Sequence, residues 1–459
     1  MWDLREAAEA LEARLIRPTA PFSVFGAACD SRRVQPGDVF VALPGHRANG
    51  HDFLSEAFAR GAMGAVVSRD PGFGTNLFLV PDVPTALREL AAWRRAAIEA
   101  PIVGVTGSFG KTTTKELVAA ALSARYRTYR APENYNTEIG VPLAILSIPD
   151  DVEAAVFELG MTARGEIREL GELLQPWAGI ITSVGPAHLG SLGSLEAIAE
   201  AKWELAAALP EEGILALGWD SPELRSRADR CPGLCLRFGS TPDADFHPED
   251  LVTDRPEGVT FRAVTPAGDL PVQLKLLGEH VPVLACGAIA LAWGMGVPEK
   301  SAAQALAHVE PIPHRLQLRP APFGWLLDDC YNANPLSVKA ALRTLSTLKL
   351  AVARRAILFG DMLDLGSDED RFHAQAIHDA QDQGVDVMFC YGPRSAAAFR
   401  FWNGPGAAEA EDLDALLTEI RKEVWSAPTL LLVKGSRAMA LERAIEALVN
   451  HVTATGSPG

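Results

Sequence analysis

Residues 102–117 read IVGVTGSFGKTTTKEL, an apolar run that breaks at two glycines and restarts with helix-forming residues. Ile102, Val103 and Val105 suit a buried parallel strand. Gly107 and Gly110 let the following turn aim backbone N–H groups at an anion with no Cβ in the way. Lys111 then supplies a point charge for β- and γ-phosphates, and Thr112 a hydroxyl for Mg2+. The helix opening at Thr113 adds the positive end of its dipole. A strict Walker loop carries glycine where this chain has Val105, so the match is to a shorter Gly-x-x-Gly-Lys-Thr turn. The stretch therefore predicts nucleotide binding. An ordinary strand-to-helix turn that happens to hold Lys and Thr is the plain alternative.

Around this core, 459 residues suggest about three domains, and a hydrophobic fraction of 48% can fill several cores. The net charge of -16 opposes a nucleic-acid partner, because a polyanion is repelled over most of the surface; a local anion site built from amides and one lysine survives that argument. Cys29, Cys231, Cys235, Cys286, Cys330 and Cys390 form no CxxC pair or metal spacing and read as free thiols in a reducing cytosol. The amino end, MWDLREAAEALEARL, is expected to be an amphipathic helix and not a signal peptide. The uncharged stretch from His280 to Pro298 holds prolines and glycines and reads as a buried helix, not a membrane span.

In chain order, residues 1–99 read as a small α/β module with strands near Asp38–Leu43 and Ala65–Ser68 around a helix from Phe53 to Arg60. Ser31, Arg32, Asn49, Gly50, His51 and Asp52 cluster in its turns, where they either bind a ligand or solvate the loops. Residues 100–313 alternate strand and helix patterns, as a doubly wound parallel sheet does, and ligands gather at the carboxyl ends of such strands. Besides the glycine turn, two strand ends stand out. AAVFELGM ends in Glu158, placed as an acidic Walker B partner, and GIITSVGPAHLG presents His188; together they are expected to ligate metal. Asn134 and Asn136 sit in a turn before a helix starting near Val141 and either contact phosphate or sugar or stabilise the turn. Lys202 falls on an alanine-rich helix, where a solvated lysine is the default reading. Residues 220–274 read as an antiparallel hairpin excursion, and residues 314–459 repeat strand-turn-helix units that make a second parallel sheet. A glycine-, proline- and alanine-rich tail from Thr453 reads as disordered.

The segments DSRRVQPGDVFVAL, TGSFGKTTTKE, NTEIGVPL, DDCYNANPLSVKAAL, GDMLDLG and VKGSR, in that order, resemble the Mur ligase family over nearly the whole chain. YNANP and GDM followed by LG point to its dipeptide-adding branch. The resemblance implies three α/β domains: 1–99 for the UDP end of the substrate, a central P-loop domain of 100–313 for ATP and Mg2+, and a Rossmann-like domain of 314–459 that completes the ATP site and receives the dipeptide. It implies ATP-dependent amide-bond formation between UDP-N-acetylmuramoyl-tripeptide and D-alanyl-D-alanine through an acyl phosphate, in a cytoplasmic monomer.

By the same resemblance, Gly107, Ser108, Gly110, Lys111, Thr112, Thr113 and Asn136 contact the nucleotide, Arg315 reaches the γ-phosphate, Asp329 pairs with the ribose, and Asn332 and Asn334 lie near adenine. Thr112, Glu158, His188 and a carbamylated Lys202 become metal ligands. Carbamylation turns a cation that cannot ligate into an anion that can. Ser31 and Arg32 fall to the uridine side, with Asn49 and His51 of the same turn cluster expected to bind substrate, and Lys434, Ser436 and Arg437 fall to the dipeptide. Three departures from the family pattern stand out: Thr137 replaces an asparagine, Val281 and Leu284 replace the amides that usually follow the Gly-x-His of Gly278 and His280, and Asp364 replaces a glutamate. Related amide ligases that add the third peptide residue, folylpolyglutamate synthase, and a P-loop NTPase switch remain the competing readings.

Overall fold

The computed structural model describes residues 1–45, 48–132 and 134–449, so the tail read as disordered lies outside the described residues. Three main sheets follow one another along the chain. The first has the spatial order Arg14–Ile16, Leu77–Leu79, Gly64–Val67, Asp38–Val41, Gly26–Ala28, parallel except for the Arg14–Ile16 edge. Its core includes Leu143 and Leu146 from the next region, and the Trp2 indole donates to the Leu146 carbonyl at 3.1 Å, so the first two regions share an apolar seam.

The central sheet is six-stranded and wholly parallel, in the order Leu234–Phe238, Ile214–Gly218, Ala178–Ile181, Ile102–Thr106, Ala154–Glu158, Thr128–Arg130. Alternation along Ile102–Thr106 sends Val103 and Val105 into one core and Ile102 into the opposite one, as a strand buried on both faces requires. Gly104 is small by necessity: a Cβ there would stand 2.6 Å from Leu205 Cδ1. The chain winds first to one side of Ile102–Thr106 and then to the other. The crevice outside Thr106 is therefore the topological switch point, where α/β sheets bind ligands.

The third sheet runs Gln317–Ala321, Gly324–Asp328, Thr429–Lys434, Arg354–Gly360, Val387–Tyr391, Gly406–Glu409, parallel apart from its first strand. Its Asp328, Gly360 and Lys434 ends face the central sheet's switch point, and the loops beyond them reach across to it.

Several sequence expectations need correction. The opening segment is not one long helix: Leu4–Ala10 is helical, capped by Asp3, and Arg14–Ile16 is a strand. Residues 220–274 divide in two. Leu234–Phe238 extends the central parallel sheet, and only His247–Arg255, Gly258–Thr265 and Gly268–Leu274 form an antiparallel excursion. The strand before His188 stops at Ile181, short of Val184. Within Val281–Gly294 the residues from Val281 to Ala292 are buried except Val283, which follows from a helix sandwiched between sheet and excursion. Among the described residues no helix is long and apolar enough to cross a membrane.

Candidate active site

The turn after Ile102–Thr106 is shaped by contacts that exclude side chains. A Cβ on Gly107 (φ +153°) would meet Thr182 Oγ1 at 1.8 Å, and one on Gly110 (φ +79°) would meet Leu284 Cδ1 at 2.7 Å. Gly110 is also the residue from which the Lys111–Ser123 helix starts, so the helix N-terminus opens toward the crevice. Lys111 Nζ donates to the Gly107 carbonyl at 2.9 Å. Burial holds its pKa below the usual lysine value, with Glu158 opposing that shift and Arg315 adding to it.

Glu158 ends its strand beside this turn, level with Val105. Its Oε2 accepts from Thr112 Oγ1 at 2.7 Å and its Oε1 from Asn136 Nδ2 at 2.9 Å. Burial acts to raise the carboxyl's pKa, but Lys111, Arg315 and these two hydrogen bonds outweigh it, and the group titrates below its ordinary range. A buried, ionised carboxylate next to a hydroxyl is the oxygen-rich donor set that a hard divalent cation takes.

His188, in the left-handed region at φ 61°, lines the same cavity, and burial depresses its pKa despite Asp364 beside it. Lys202 is 1% exposed, contrary to the solvated reading. Burial first, and then the Lys111 charge, push its amine well below the normal range.

From the third region, Arg315 stacks its guanidinium over Tyr331 at 4.1 Å and donates to Thr112 Oγ1 at 2.8 Å. Asn334 caps the Pro335–Thr347 helix and donates across to the Ser108 carbonyl at 3.1 Å. Asp329 and Asn332 also line the cavity, which measures about 510 Å³. That is a normal size for a small-molecule site. Lys434 is buried, its ammonium held by Asp329 Oδ2 at 2.6 Å and the Asn332 carbonyl at 3.0 Å. Ser436 Oγ accepts from the Leu363 N–H, and Arg437 is exposed and paired with Glu442.

Ser31, Arg32, Asn49 and His51 do not line this cavity. Ser31 donates to Glu56, Arg32 pairs with Asp30, and Asn49 and His51 hold each other with the Ser68 N–H on His51 Nε2.

The chain matches the Mur ligase middle domain over residues 105–292, the Mur ligase glutamate ligase domain over 314–437 and the Mur ligase catalytic domain over 24–95. It is 33% identical over 457 residues to a Bacillus subtilis (strain 168) protein named UDP-N-acetylmuramoyl-tripeptide–D-alanyl-D-alanine ligase, covering 97% of this chain and 98% of that one. The chain belongs to the Mur ligase family. As a Mur ligase it superposes on a MurF crystal structure from Acinetobacter baumannii with a TM-score of 0.84, at 27% identity and 98% and 99% coverage. It also superposes on a MurF ligase from Thermotoga maritima in complex with ADP with a TM-score of 0.77, at 26% identity and 94% and 98% coverage.

Some members of this Mur ligase's site were not legible as such in its sequence. His280 stacks on Phe109 of the glycine turn at 4.6 Å between ring centroids, and burial lowers its pKa to about 4. Tyr331 bridges Arg315 and, through its hydroxyl, Asn134 of the central domain. Leu284 stands against Gly110 where the family usually has an amide, so the contact there is apolar. Two clusters also formed that the spacing did not suggest. The sulfurs of Cys231 and Cys235 lie 2.8 Å apart, and His314, Asp328 and Cys330 come together with Arg319 on the same carboxylate.

Proposed function

We propose that this Mur ligase joins D-alanyl-D-alanine to UDP-N-acetylmuramoyl-tripeptide at the expense of ATP, forming an amide bond in the synthesis of the peptidoglycan precursor. The observation that carries the reading is the hydrogen bond from Arg315 to Thr112, which closes two sheets' ligand edges over one cavity. A nucleotide switch that only hydrolyses would leave the third sheet's loops without a task. The curated relative is named for dipeptide addition, which supports this acceptor over glutamate or a third peptide residue.

The chemistry follows from charge. A peptide carboxylate must approach a triphosphate, so like charges meet and the barrier is lowered mostly by positioned cations. In our reading Lys111 leaves the Gly107 carbonyl for the β- and γ-phosphates, and Arg315 lies against the γ-phosphate from the other side. The γ-phosphoryl group passes to the tripeptide carboxylate, ADP leaves, and the dipeptide amine attacks the acyl carbon. Collapse of the tetrahedral intermediate expels phosphate, and the amine's proton passes to solvent or phosphate. Closure of the two sheets keeps water from the acyl phosphate meanwhile.

Thr112, Glu158 and a neutral His188 fit Mg2+, which when bound would neutralise charge on the transferring phosphoryl group. Lys202 is the residue suited to carbamylation. Burial pushes its amine well below the usual lysine value, toward the neutral form that captures CO2, and the resulting carbamate would set an anion against the Lys111 charge. Asp329, tied to Lys434, is assigned to the ribose, and Asn332, Asn334 and His280 to the adenine side. Ser31, Arg32, Asn49 and His51 are assigned to the substrate's uridine end, and Lys434, Ser436 and Arg437 to the dipeptide. The domains are taken as 1–99, 100–313 and 314–459, acting as a cytoplasmic monomer.

The test is phosphate release with ATP, Mg2+ and UDP-N-acetylmuramoyl-tripeptide, with and without D-alanyl-D-alanine. Turnover is expected to need both substrates and to be nearly lost in Lys111→Ala. Turnover independent of the acceptor would count against the ligase reading.

A further inference from the structure

His188 belongs to the central domain, yet the hydrogen bond that orients its ring comes from the third. Its Nδ1 lies 2.7 Å from Asp364 Oδ2. The other oxygen of that carboxylate accepts from Ser191 Oγ at 2.9 Å, and the Asp364 backbone carbonyl accepts from Gly190 N at 3.2 Å. Asp364 sits at φ 63°, which turns side chain and carbonyl toward the same short 188–191 segment. The backbones approach closely because glycines face each other. A Cβ on Gly190 would stand 3.0 Å from both Asp364 Oδ1 and Gly366 N, and one on Gly366 2.9 Å from Gly190 Cα. On its own side the loop is fixed to the third domain, Met362 N donating to His373 Nε2 and Leu363 N to Ser436 Oγ, each at 2.9 Å.

We infer that Asp364 is a positioning residue that couples domain closure to metal binding. It takes the Nδ1–H of His188, so the Nε2 lone pair is left free for a metal ion only while the third domain is docked. The inference rests on His188 being a metal ligand. A carboxylate behind a ligating histidine fixes the tautomer and raises the basicity of the coordinating nitrogen. Here that carboxylate is delivered by the domain that must close, so an open enzyme has a His188 free to rotate and a weaker metal site. The aspartate in place of the family's usual glutamate shortens the reach. The facing glycines compensate by letting the two backbones come together.

The experiment compares the parent enzyme with Asp364→Ala, Asp364→Glu, Gly190→Ala and His188→Ala. Two quantities are read with the β,γ-methylene analogue of ATP: Mn2+ binding by loss of the free-ion EPR signal, and compaction by small-angle X-ray scattering. The Mg2+ dependence of phosphate release is measured alongside. Asp364→Ala is expected to raise the half-saturating metal concentration by about tenfold or more and to lose the analogue-induced compaction. Asp364→Glu should recover most of both, and Gly190→Ala should lose compaction with its carboxylate and imidazole intact. A metal defect in His188→Ala with none in Asp364→Ala overturns the positioning role alone. No metal defect in either overturns the ligand reading and the inference with it.

Discussion

On the proposed reading, replacing Arg315 by alanine isolates the cation that the 314–459 region contributes to the phosphate site. The guanidinium is held by Tyr331 at 4.1 Å and by Thr112 Oγ1 at 2.8 Å, on the wall of the cavity that Lys111 also lines. One unit charge about 4 Å from another, at an effective dielectric near 20, is worth about 4 kcal/mol. Part of that acts on bound ATP as well as on the transition state, so about 3–4 kcal/mol of barrier is expected, or a loss in kcat of about 10²- to 10³-fold at about 1.4 kcal/mol per decade.

ATP binding should change much less, because the glycine turn, Lys111 and Thr112 stay intact. Arg315 also helps to hold the Glu158 carboxyl low, behind Lys111 in effect. Without it that pKa rises, and the acidic limb of the pH–rate profile should move to higher pH. Steady-state phosphate release across pH, together with ATP-analogue affinity by calorimetry, reads both effects. Arg315→Lys, which keeps the charge and loses the planar fork, should fall between the two. A kcat within tenfold of the parent, or a loss confined to ATP affinity, would refute the argument.

Other outcomes follow from the same geometry. Gly107→Ala should abolish nucleotide binding in calorimetry while the remaining domains stay folded, because its Cβ would drive Thr182 out of the turn at 1.8 Å. Lys434→Met leaves Asp329 buried without its partner and should destabilise the protein by about 3–5 kcal/mol in urea, and adding Asp329→Asn should restore part of that. His280 titrates near 4 in the fold against an ordinary 6.5. Because its folded pKa is the lower one, its neutral burial contributes fully above about pH 6.5 and is lost as pH falls toward 4, by at most about 3 kcal/mol. Urea midpoints for His280→Leu should show a correspondingly shallower loss of stability over that window.

Much of the fold was readable locally because its signals are local. The hydrophobic run of Ile102–Thr106 followed by two glycines and Lys-Thr dictates strand, turn and helix whatever surrounds them, and the structure has that order. The start of the helix near Val141 and the burial of the Val281–Gly294 segment were equally visible. Leu234–Phe238 was misassigned because its alternating pattern suits an edge strand of either sheet, and pairing with Ile214–Gly218 decided it. The opening helix was overextended because its periodicity outruns the point where Arg14–Ile16 pairs with Leu77–Leu79. Lys202 read as solvated because an alanine-rich stripe has no polarity signal of its own. Its burial comes from the packing of that helix under the central sheet.

The sequence by itself determined which chemistry each strand end can offer: a phosphate turn at Gly107–Thr112, a carboxylate at Glu158, an imidazole at His188. Those residues lie next to the backbone breaks that expose them, and a break is specified by a few neighbouring residues. What only the tertiary structure decided is which of these groups meet. Arg315 against Thr112, Asn334 against the Ser108 carbonyl and Asp364 against His188 are contacts between residues more than a hundred positions apart, set by how two separately built sheets dock. No local pattern encodes such contacts, because the orientation of one domain on another is fixed by surfaces that the whole chain has to fold to create.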